Sequence, residues 1–287
     1  MLGISGAGEA EVQFYNRARP RLDIEAPISV YAGYDPANYN SFILLHDLGR
    51  DIHICDDLTD MTWDRAVSQV ETLARLHSRF FESRELGSQK LPFRTWYDWW
   101  TSYMTASPQF AISCDRAFGR CEDLMSPQLF RRRQEIWPAT NKSVARHLQL
   151  PKSLTHGDVH LRNWYLTPSG QMALTDWQSA TIGHWSRDYT YAITTALTIE
   201  NRRKWEQELL RVYLDKMAER GVPRVSPEEA WLNYRQQLFT VLAFWTITMC
   251  PSPDMPADLQ PPRTTREFLR RIVAAIEDHD ALKSFDS

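Results

Sequence analysis

One segment, His156–Trp177, constrains the fold of this chain more than any other; its sequence is HGDVHLRNWYLTPSGQMALTDW. Strand-forming residues occupy Trp164–Leu166 and return at Met172–Thr175. Between them lies Thr167–Gly170, whose proline, serine and glycine are typical of a turn. The pattern therefore predicts a short β-hairpin directly after a histidine-rich loop.

Three oxygen-bearing side chains are distributed around this hairpin. Asp158 precedes Asn163 by five residues, and Asp176 follows the returning strand. Phosphoryl transfer needs a group that orients and deprotonates the attacking hydroxyl. It also needs oxygen ligands for the Mg²⁺ ion that neutralises the nucleotide phosphates. The hairpin would bring Asp176 beside the loop, so the segment predicts a site for Mg²⁺ and a phosphate.

The pattern HGD-x-H-x-x-N followed by DWQ resembles the catalytic and metal-binding loops of the aminoglycoside phosphotransferase and choline kinase superfamily. Within it, the DWQ form is most similar to the CHK-kinase-like, or ecdysteroid-kinase-like, branch. The resemblance implies an α+β, protein-kinase-like fold of two lobes. It also implies ATP and Mg²⁺ as cofactors and a hydroxyl group of a small molecule as the phosphate acceptor.

The same resemblance assigns roles to individual residues. Asp158 matches the catalytic base, and Asn163 and Asp176 match the two ligands of Mg²⁺. His160 would lie near the transferring phosphate. His156 would be a structural brace of the loop.

A short helix is predicted over residues 8–19, where good helix formers surround a few apolar positions. Its sequence EVQFY resembles the superfamily's N-lobe helix, whose glutamate pairs with a phosphate-binding lysine. Glu11 is the matching residue and so a candidate for cofactor binding. An ordinary solvated carboxylate fits the same sequence equally well.

Two strands, Ile28–Ala32 and Ser41–Leu45, are predicted on either side of a turn-rich stretch. The following LHDLG resembles the hinge between the lobes, where the adenine edge pairs with backbone groups. This resemblance places Leu45 and Asp47 beside the nucleotide. A buried hairpin without a ligand is the alternative.

The N-terminal region departs from the superfamily pattern. Only ten residues precede Glu11, and no lysine occurs before Lys90. The superfamily's glycine-rich loop and lysine strand, which precede this helix, therefore have no counterpart in this sequence. We expect residues 1–50 to form a partial, truncated N-lobe and residues 51–287 a mainly helical C-lobe. That C-lobe would hold the catalytic loop 156–163 and the metal-binding DWQ at 176–178.

Two explanations of this departure stay open on the sequence. The chain is a shortened version of a working kinase, or it is a kinase-like pseudoenzyme that binds a partner or small molecule without transferring phosphate. The intact Asp158, Asn163 and Asp176 favour a working ancestry. The missing clamp elements favour inactivity.

Helical periodicity of apolar residues dominates the rest of the chain. Thr62 is the expected N-cap of the first long helix, and Pro138 is expected to interrupt a later one. Asp188 is expected to cap the helix that follows the DWQ segment, and the superfamily's matching aspartate braces the catalytic loop. The predicted helices are 62–83, 124–148, 201–220, 227–249 and 264–281.

A cluster of aromatic residues, Trp96, Trp99, Trp100 and Tyr103, falls in the region that varies within the superfamily and helps to bind the acceptor. Such residues could line a pocket for steroid-like, macrocyclic or quaternary-ammonium acceptors. Core packing explains them at least as well. The four scattered cysteines lack metal or disulfide spacing and are expected to be free and buried.

Composition excludes several classes of partner. The net charge of −3 gives no general attraction to nucleic acid or to an anionic membrane. No apolar run is long enough to span a bilayer, and the first residues lack the order of a secretion signal. We therefore expect a cytoplasmic protein without nucleic-acid or membrane partners. The sequence leaves the oligomeric state and the acceptor open.

Zinc hydrolysis is the main chemical competitor, because His156 and His160 are four residues apart. That chemistry needs both histidines on one face of a helix, with glutamate after the first. Here Gly157, a poor helix former, takes the place of the glutamate. A serine hydrolase is weaker still, because no G-x-S-x-G turn is present.

Overall fold

The computed structural model of the chain describes residues 5–106, 109–253 and 255–286. Helices dominate, and the strands form small antiparallel sheets. The helices are α1 Ala7–Gln13, α2 Trp63–Phe80, α3 Trp96–Ala106, α4 Gln109–Arg120, α5 Pro127–Arg131, α6 Ile136–Arg146, α7 Trp185–Ala196, α8 Ile199–Glu219, α9 Pro227–Met249 and α10 Pro262–Asp278. The strands are β1 Ser29–Asp35, β2 Asn40–Leu45, β3 His53–Ile54, β4 Ser153–Thr155, β5 Trp164–Leu166, β6 Met172–Leu174 and β7 Thr181–Gly183.

At both predicted hairpins, the two strands that follow each other in the sequence pair with each other. β1 pairs with β2, and β3, β5 and β6 form a second sheet in that order. β4 pairs with β7, so the strands that enter and leave the catalytic segment lie side by side. The predicted hairpin is confirmed, with Trp164 opposite Leu174 and every residue of β5 and β6 buried. The α+β class is confirmed as well.

The N-terminal helix predicted over residues 8–19 is present, but only its first part is α-helical. After Gln13 the backbone continues as a π-helical turn at Phe14–Ala18 and a short 3-10 turn at Arg19–Arg21. Phe14 and Tyr15 are buried. The irregular turns therefore direct two aromatic rings into the core.

Helix α7 is the centre of the helical region. All twelve of its residues are buried, and it packs against α2, α9 and α10. Helix α9 is buried along most of its length, which explains why its sequence is apolar on nearly all sides. Thr62 caps α2 as predicted, because its hydroxyl accepts a hydrogen bond from Arg65 N at 3.3 Å. The C-terminal helices predicted near 201–220, 227–249 and 264–281 are confirmed.

The single helix predicted over residues 124–148 is wrong. The segment is divided into short pieces, and its last helix, α6, begins at Ile136. Pro138 lies in the first turn of α6, where a missing N–H costs no intrahelical hydrogen bond. The proline therefore helps to start a helix here and does not interrupt one.

The four cysteines are free and buried, as predicted. Burial raises the pKa of the Cys114 thiol to about 12. This thiol, which hydrogen-bonds Thr246 at 2.8 Å, is therefore a packed neutral group.

None of the helices in the described parts of the chain combines the length and the apolarity needed to cross a bilayer.

Candidate active site

The catalytic loop predicted at 156–163 connects β4 to β5, and glycine is required at its second position. Gly157 has a positive φ of 85°. A Cβ atom there would collide with the carbonyl oxygen of Ser179. Only glycine adopts this backbone conformation without strain in so close an approach. The loop is thereby packed directly against the segment that follows Asp176.

Asp188 of α7 holds this loop by its backbone. Its carboxylate accepts hydrogen bonds from His156 N at 2.7 Å and Gly157 N at 3.0 Å. It also contacts His77 Nε2 at 3.2 Å. Burial alone would raise the pKa of Asp188, but the hydrogen bond and charge of His77, together with Arg187, bring it below its ordinary value.

The expectation that Asp188 caps the helix is therefore wrong. Helix α7 begins three residues earlier, and His184 is its N-cap, accepting from Ser186 N. Asp188 lies within the first turn and points at the loop, where two buried N–H groups need an acceptor. Its contacts agree with the bracing role of the matching superfamily residue.

His156 links the loop to the end of the hairpin. Its Nε2 donates to the carbonyl oxygen of Thr175 at 2.9 Å, and its Nδ1 accepts from Asp158 N at 3.2 Å. Both contacts suit a single neutral tautomer. Burial lowers the pKa of His156, which keeps that tautomer in place. His156 thus fixes the backbone on both sides of the candidate site.

Asp158 and Asn163 lie together as the spacing predicts. Asn163 Nδ2 donates to the backbone oxygen of Asp158 at 2.7 Å and contacts its carboxylate at 3.4 Å. The Asp158 side chain keeps 19% of its surface exposed. His160 Nε2 lies 3.6 Å from Asp158 Oδ2, and burial lowers the pKa of this histidine. The carboxylate is therefore held in place while still open to a ligand.

Asp176 and Glu11 complete a group of acidic side chains around Asp158. Asp176 has a positive φ of 63°, a conformation that non-glycine residues adopt at constrained sites. Burial, followed by the charge of Asp158, raises the pKa of Asp176. Burial, followed by the charge of Asp176, raises the pKa of Glu11 to about 7. Asp176 thus lies close enough to Asp158 on one side and to Glu11 on the other for their charges to repel in a partly buried site.

Helix α1 is held against the hairpin by an aromatic stack. The rings of Phe14 and Trp177 are nearly parallel, with centroids 3.6 Å apart. The backbone N–H of Trp177 partly offsets the rise in the pKa of Glu11. Glu11 is therefore positioned next to Asp176 by contacts from its own helix.

The raised pKa of Glu11 predicts a pH-dependent effect of Glu11→Gln. Between pH 4.5 and about 7 the folded protein keeps a proton on Glu11 that the unfolded chain releases, so stability falls as pH rises through this range. Glutamine cannot ionise, so the variant lacks this pH-dependent loss of stability. In thermal unfolding without Mg²⁺, the midpoint of the variant should lie further above that of the wild type at pH 8 than at pH 5.

The control for this measurement is Glu9→Gln, which changes an exposed glutamate in the first turn of the same helix. Its unfolding midpoint should follow the wild type at both pH values. A difference between Glu11→Gln and the wild type that does not change with pH would contradict the raised pKa.

The predicted nucleotide-contacting residues of the hinge lie at the end of β2. Leu45 is the last residue of that strand, and Asp47 follows it; both are exposed. Asp47 Oδ1 accepts from Gly49 N at 2.9 Å and so closes a local turn. The structure gathers Asp158, His160, Asn163, Asp176 and Glu11 around one loop, but records no hydrogen bond from Leu45 or Asp47 to it.

A cavity of about 270 Å³ opens beside Asp158 and His160. Helices α3, α4, α7 and α9 supply its aromatic lining, and α1, the catalytic loop and residues 178–179 and 255–260 complete it. Trp99, from the aromatic cluster singled out in the sequence, lines this cavity, whereas Trp96 and Trp100 are buried behind it. The cluster is therefore divided between a cavity wall and core packing.

Sequence reasoning did not identify Tyr191, Phe244 and Trp245, which also line this cavity. They occur in apolar helical runs that are typical of core positions. Burial, followed by the charge of Asp158, raises the pKa of Tyr191 well above its ordinary value. No sequence signal separates these residues from ordinary core aromatics.

Comparison with known proteins gives a family and a fold. The model of the phosphotransferase enzyme family matches residues 9–226. The chain is similar in structure to a choline/ethanolamine kinase family protein from Mesorhizobium loti, with 16% identity and a TM-score of 0.55. The alignment covers 97% of this chain and 84% of that protein. The GDP complex of wild-type aminoglycoside 2'-phosphotransferase-IIIa has 12% identity and a TM-score of 0.51, covering 96% and 83%. The search of curated proteins returned no match.

The family match extends over about three quarters of the chain and includes the whole of the loop and hairpin described above. The two structural similarities, at low sequence identity, independently show the kinase-like fold. The superfamily inferred from the HGD and DWQ motifs is thus confirmed. This chain belongs to the phosphotransferase enzyme family.

Proposed function

We propose that the protein transfers the terminal phosphoryl group of ATP to a hydroxyl group of a small molecule, with Mg²⁺ as the metal. The observation that supports this most is that Asp158 contacts Asn163, lies near Asp176 and lines a cavity with aromatic walls. The placement within the CHK-kinase-like branch remains a prediction from the DWQ sequence. So do the boundary near residue 50 and the cytoplasmic location.

In this proposal Asp158 accepts the proton of the acceptor hydroxyl. Its carboxylate is partly exposed and lines the cavity, so an alcohol there can reach it. Asn163 contacts this carboxylate at 3.4 Å, and hydrogen bonds with His156 and Asn163 hold the backbone of Asp158. His160, kept neutral by burial, lies between this carboxylate and the ring of Trp245, 5.4 Å away between centroids. It can donate a hydrogen bond near the transferred phosphate without adding a fixed charge.

The residues present fit a Mg²⁺ ion. Asn163 and Asp176 would hold it, and their oxygen atoms are the donors that this hard cation prefers. The charge of Asp158 adds to the raised pKa of Asp176, and the charge of Asp176 adds to that of Glu11, in each case after the larger effect of burial. When bound, the ion neutralises charge on the phosphates. One or two carboxylates suffice, because Mg²⁺ usually retains water and takes phosphate oxygens as further ligands.

The nucleotide and the acceptor are proposed from the resemblance and the relatives. The aminoglycoside phosphotransferase cited above is a GDP complex, and the protein from Mesorhizobium loti is described as a choline/ethanolamine kinase family member. We propose a nucleotide site between the β1–β2 hairpin and the catalytic loop, with the backbone near Leu45 and Asp47 contacting the base.

A kinase-like pseudoenzyme is the second candidate. One observation favours it: Glu11 receives no ion pair from a lysine or arginine within the described residues. The corresponding glutamate in the superfamily is paired with a phosphate-binding lysine. Nucleotide binding in the absence of transfer would support this candidate.

The first experiment is a thermal-unfolding measurement with and without Mg-ATP, on the wild type and on Asp176→Ala. A site at 100 times its dissociation constant adds about 2.7 kcal/mol to the free energy of unfolding. We expect the wild-type midpoint to rise only when both Mg²⁺ and ATP are present, and the variant to lose that rise. GTP in place of ATP measures the base preference.

Asp115→Ala, a change of an exposed aspartate outside the site, is the control and should keep the full rise. A wild-type midpoint that Mg-ATP does not change would refute the proposed nucleotide site. A rise that persists in Asp176→Ala would remove Asp176 from the metal site.

A further inference from the structure

The cavity beside Asp158 has an unusual balance of aromatic and charged groups. Among the described residues that line it, Asp158 is the only carboxylate, and neither lysine nor arginine contributes. The remaining polar lining consists of neutral side chains. The aromatic lining residues are Trp99, Tyr103, Phe110, Tyr191, Phe244 and Trp245.

Behind this aromatic wall lies a buried cation, Arg187 of α7, which is only 1% exposed. Its guanidinium carbon is 3.9 Å from the ring centroid of Trp96, 5.3 Å from Phe244 and 5.9 Å from Tyr191. Guanidinium groups stay charged in proteins because their ordinary pKa is so high. The protein therefore supplies an internal cation to three aromatic rings.

Few other groups satisfy this guanidinium. Nη1 donates to the carbonyl oxygen of Gly157 and lies 3.7 Å from Asp188 Oδ1. Nε and Nη2 are buried without a hydrogen-bond partner. Asp188 is already the acceptor for two backbone N–H groups and contacts His77. The ring faces thus carry a substantial part of the stabilisation of Arg187.

Two of these rings are shared with the cavity. Phe244 and Tyr191 line it, and Trp96 stacks on the lining residue Trp99 with centroids 5.2 Å apart. A cationic ligand on the cavity side would approach rings whose electrons already stabilise Arg187. It would also meet the like charge of Arg187 across these aromatic rings, where such repulsion is weakly screened.

The cavity is also small. Its volume of about 270 Å³ is below the usual range of roughly 300–1,000 Å³ for ligand sites. A polycation would need several carboxylates, and the described lining provides only the proposed base. The size and the described lining of this cavity therefore favour small acceptors over large or multiply charged ones.

We propose that the acceptor is a small uncharged alcohol with an apolar or aromatic body, and that Arg187 is a specificity-determining residue which selects against ammonium compounds. This inference rests on the proposed function, because it assigns the substrate class of that site. The hydroxyl group of the alcohol points to Asp158, and its body packs between the rings.

Two pairs of isosteric alcohols, differing only in replacement of nitrogen by carbon, test the proposal. The first pair is choline and 3,3-dimethyl-1-butanol. The second is (2-hydroxyethyl)dimethylphenylammonium and 3-methyl-3-phenylbutan-1-ol. Binding to the full chain is measured by titration calorimetry without nucleotide. We expect the neutral member of at least one pair to bind tenfold or more tightly than its ammonium partner, and neither ammonium compound to be preferred.

Arg187→Met separates the effect of the internal cation from general hydrophobicity. It keeps the length of the side chain but removes the charge, so the preference for the neutral member should fall about tenfold. Arg187→Lys keeps the charge and should retain the preference. The ratio of the two affinities within a pair is measured on the same protein, so a general loss of affinity in a variant cancels. If Arg187→Met does not fold, Arg187→Gln takes its place, because it also removes the charge while keeping polar groups near the carbonyl oxygen of Gly157.

Tighter binding of either ammonium compound, equal binding within both pairs, or no binding of all four compounds would overturn the proposal. Phosphate transfer from Mg-ATP to each compound is measured separately. Preferential binding of neutral alcohols without transfer would refute the proposed activity but keep the ligand class. Preferential phosphorylation of choline would keep the activity and refute the ligand class.

Discussion

Replacing Asp158 with asparagine is expected to lower kcat for phosphoryl transfer by about 10²–10⁴-fold, the usual contribution of a general base. Asparagine has nearly the same shape and keeps the contact with Asn163, but it cannot accept the proton of the acceptor hydroxyl. The binding of Mg-ATP should persist, because Asn163 and Asp176 remain. The measurement is steady-state transfer from ATP to the preferred neutral alcohol, beside the Mg-ATP shift in thermal unfolding.

Asp115→Asn is the matched control, since it makes the same change at an exposed position outside the site. Its kcat should equal that of the wild type. If Asp158→Asn retained wild-type kcat, the proton would have to go to another group, and the assignment of the base would be wrong.

Replacing Asp188 with alanine is expected to lower the free energy of unfolding by about 3–5 kcal/mol, as breaking a buried charged pair does. The variant leaves the N–H groups of His156 and Gly157 without an acceptor and Arg187 without its carboxylate neighbour. Such a loss is a large fraction of the roughly 5–15 kcal/mol that stabilises a typical domain. Denaturant unfolding at constant pH measures it.

Asp188→Asn distinguishes the loss of charge from the loss of the acceptor. Its side-chain oxygen can still accept one backbone hydrogen bond, so we expect a smaller loss of stability than for alanine. Equal stability of Asp188→Ala and the wild type would show that the loop does not depend on this carboxylate.

The sequence predicted those features that depend on short-range patterns. The hairpin of β5 and β6, the N-cap at Thr62 and the long C-terminal helices follow from residue types within a few positions of each other. The grouping of Asp158, Asn163 and Asp176 also follows, because a two-stranded hairpin must return its end to the loop where it began. The HGD and DWQ motifs are also short-range patterns, and they were sufficient to predict the family.

Features that join distant segments could not be read from the sequence. Asp188 has the residue type of a helix cap, and only the packing of α7 against the loop shows that two N–H groups use it instead. The rings around Arg187 come from α3, α7 and α9. Periodicity identifies all of them as core aromatics but cannot indicate which ones meet a cation.

Pro138 shows a third kind of failure, in which the residue type was interpreted correctly but its position was not. Proline disrupts a helix interior and is accepted in the first turn. The choice depends on where the helix begins, and α6 begins only two residues before it. Element boundaries of this kind depend on tertiary packing, which the local pattern does not contain.

The stack of Phe14 on Trp177 has a consequence for how the N-terminal helix and the proposed metal site respond to each other. Trp177 is the next residue after Asp176, so α1 cannot swing away from the hairpin without pulling on that backbone or giving up the stack, a loss of about 0.5–1.5 kcal/mol. Thermodynamic reciprocity then applies in both directions. Whatever shifts α1 changes the affinity at Asp176, and whatever binds at Asp176 restricts the orientation of α1 to the same extent.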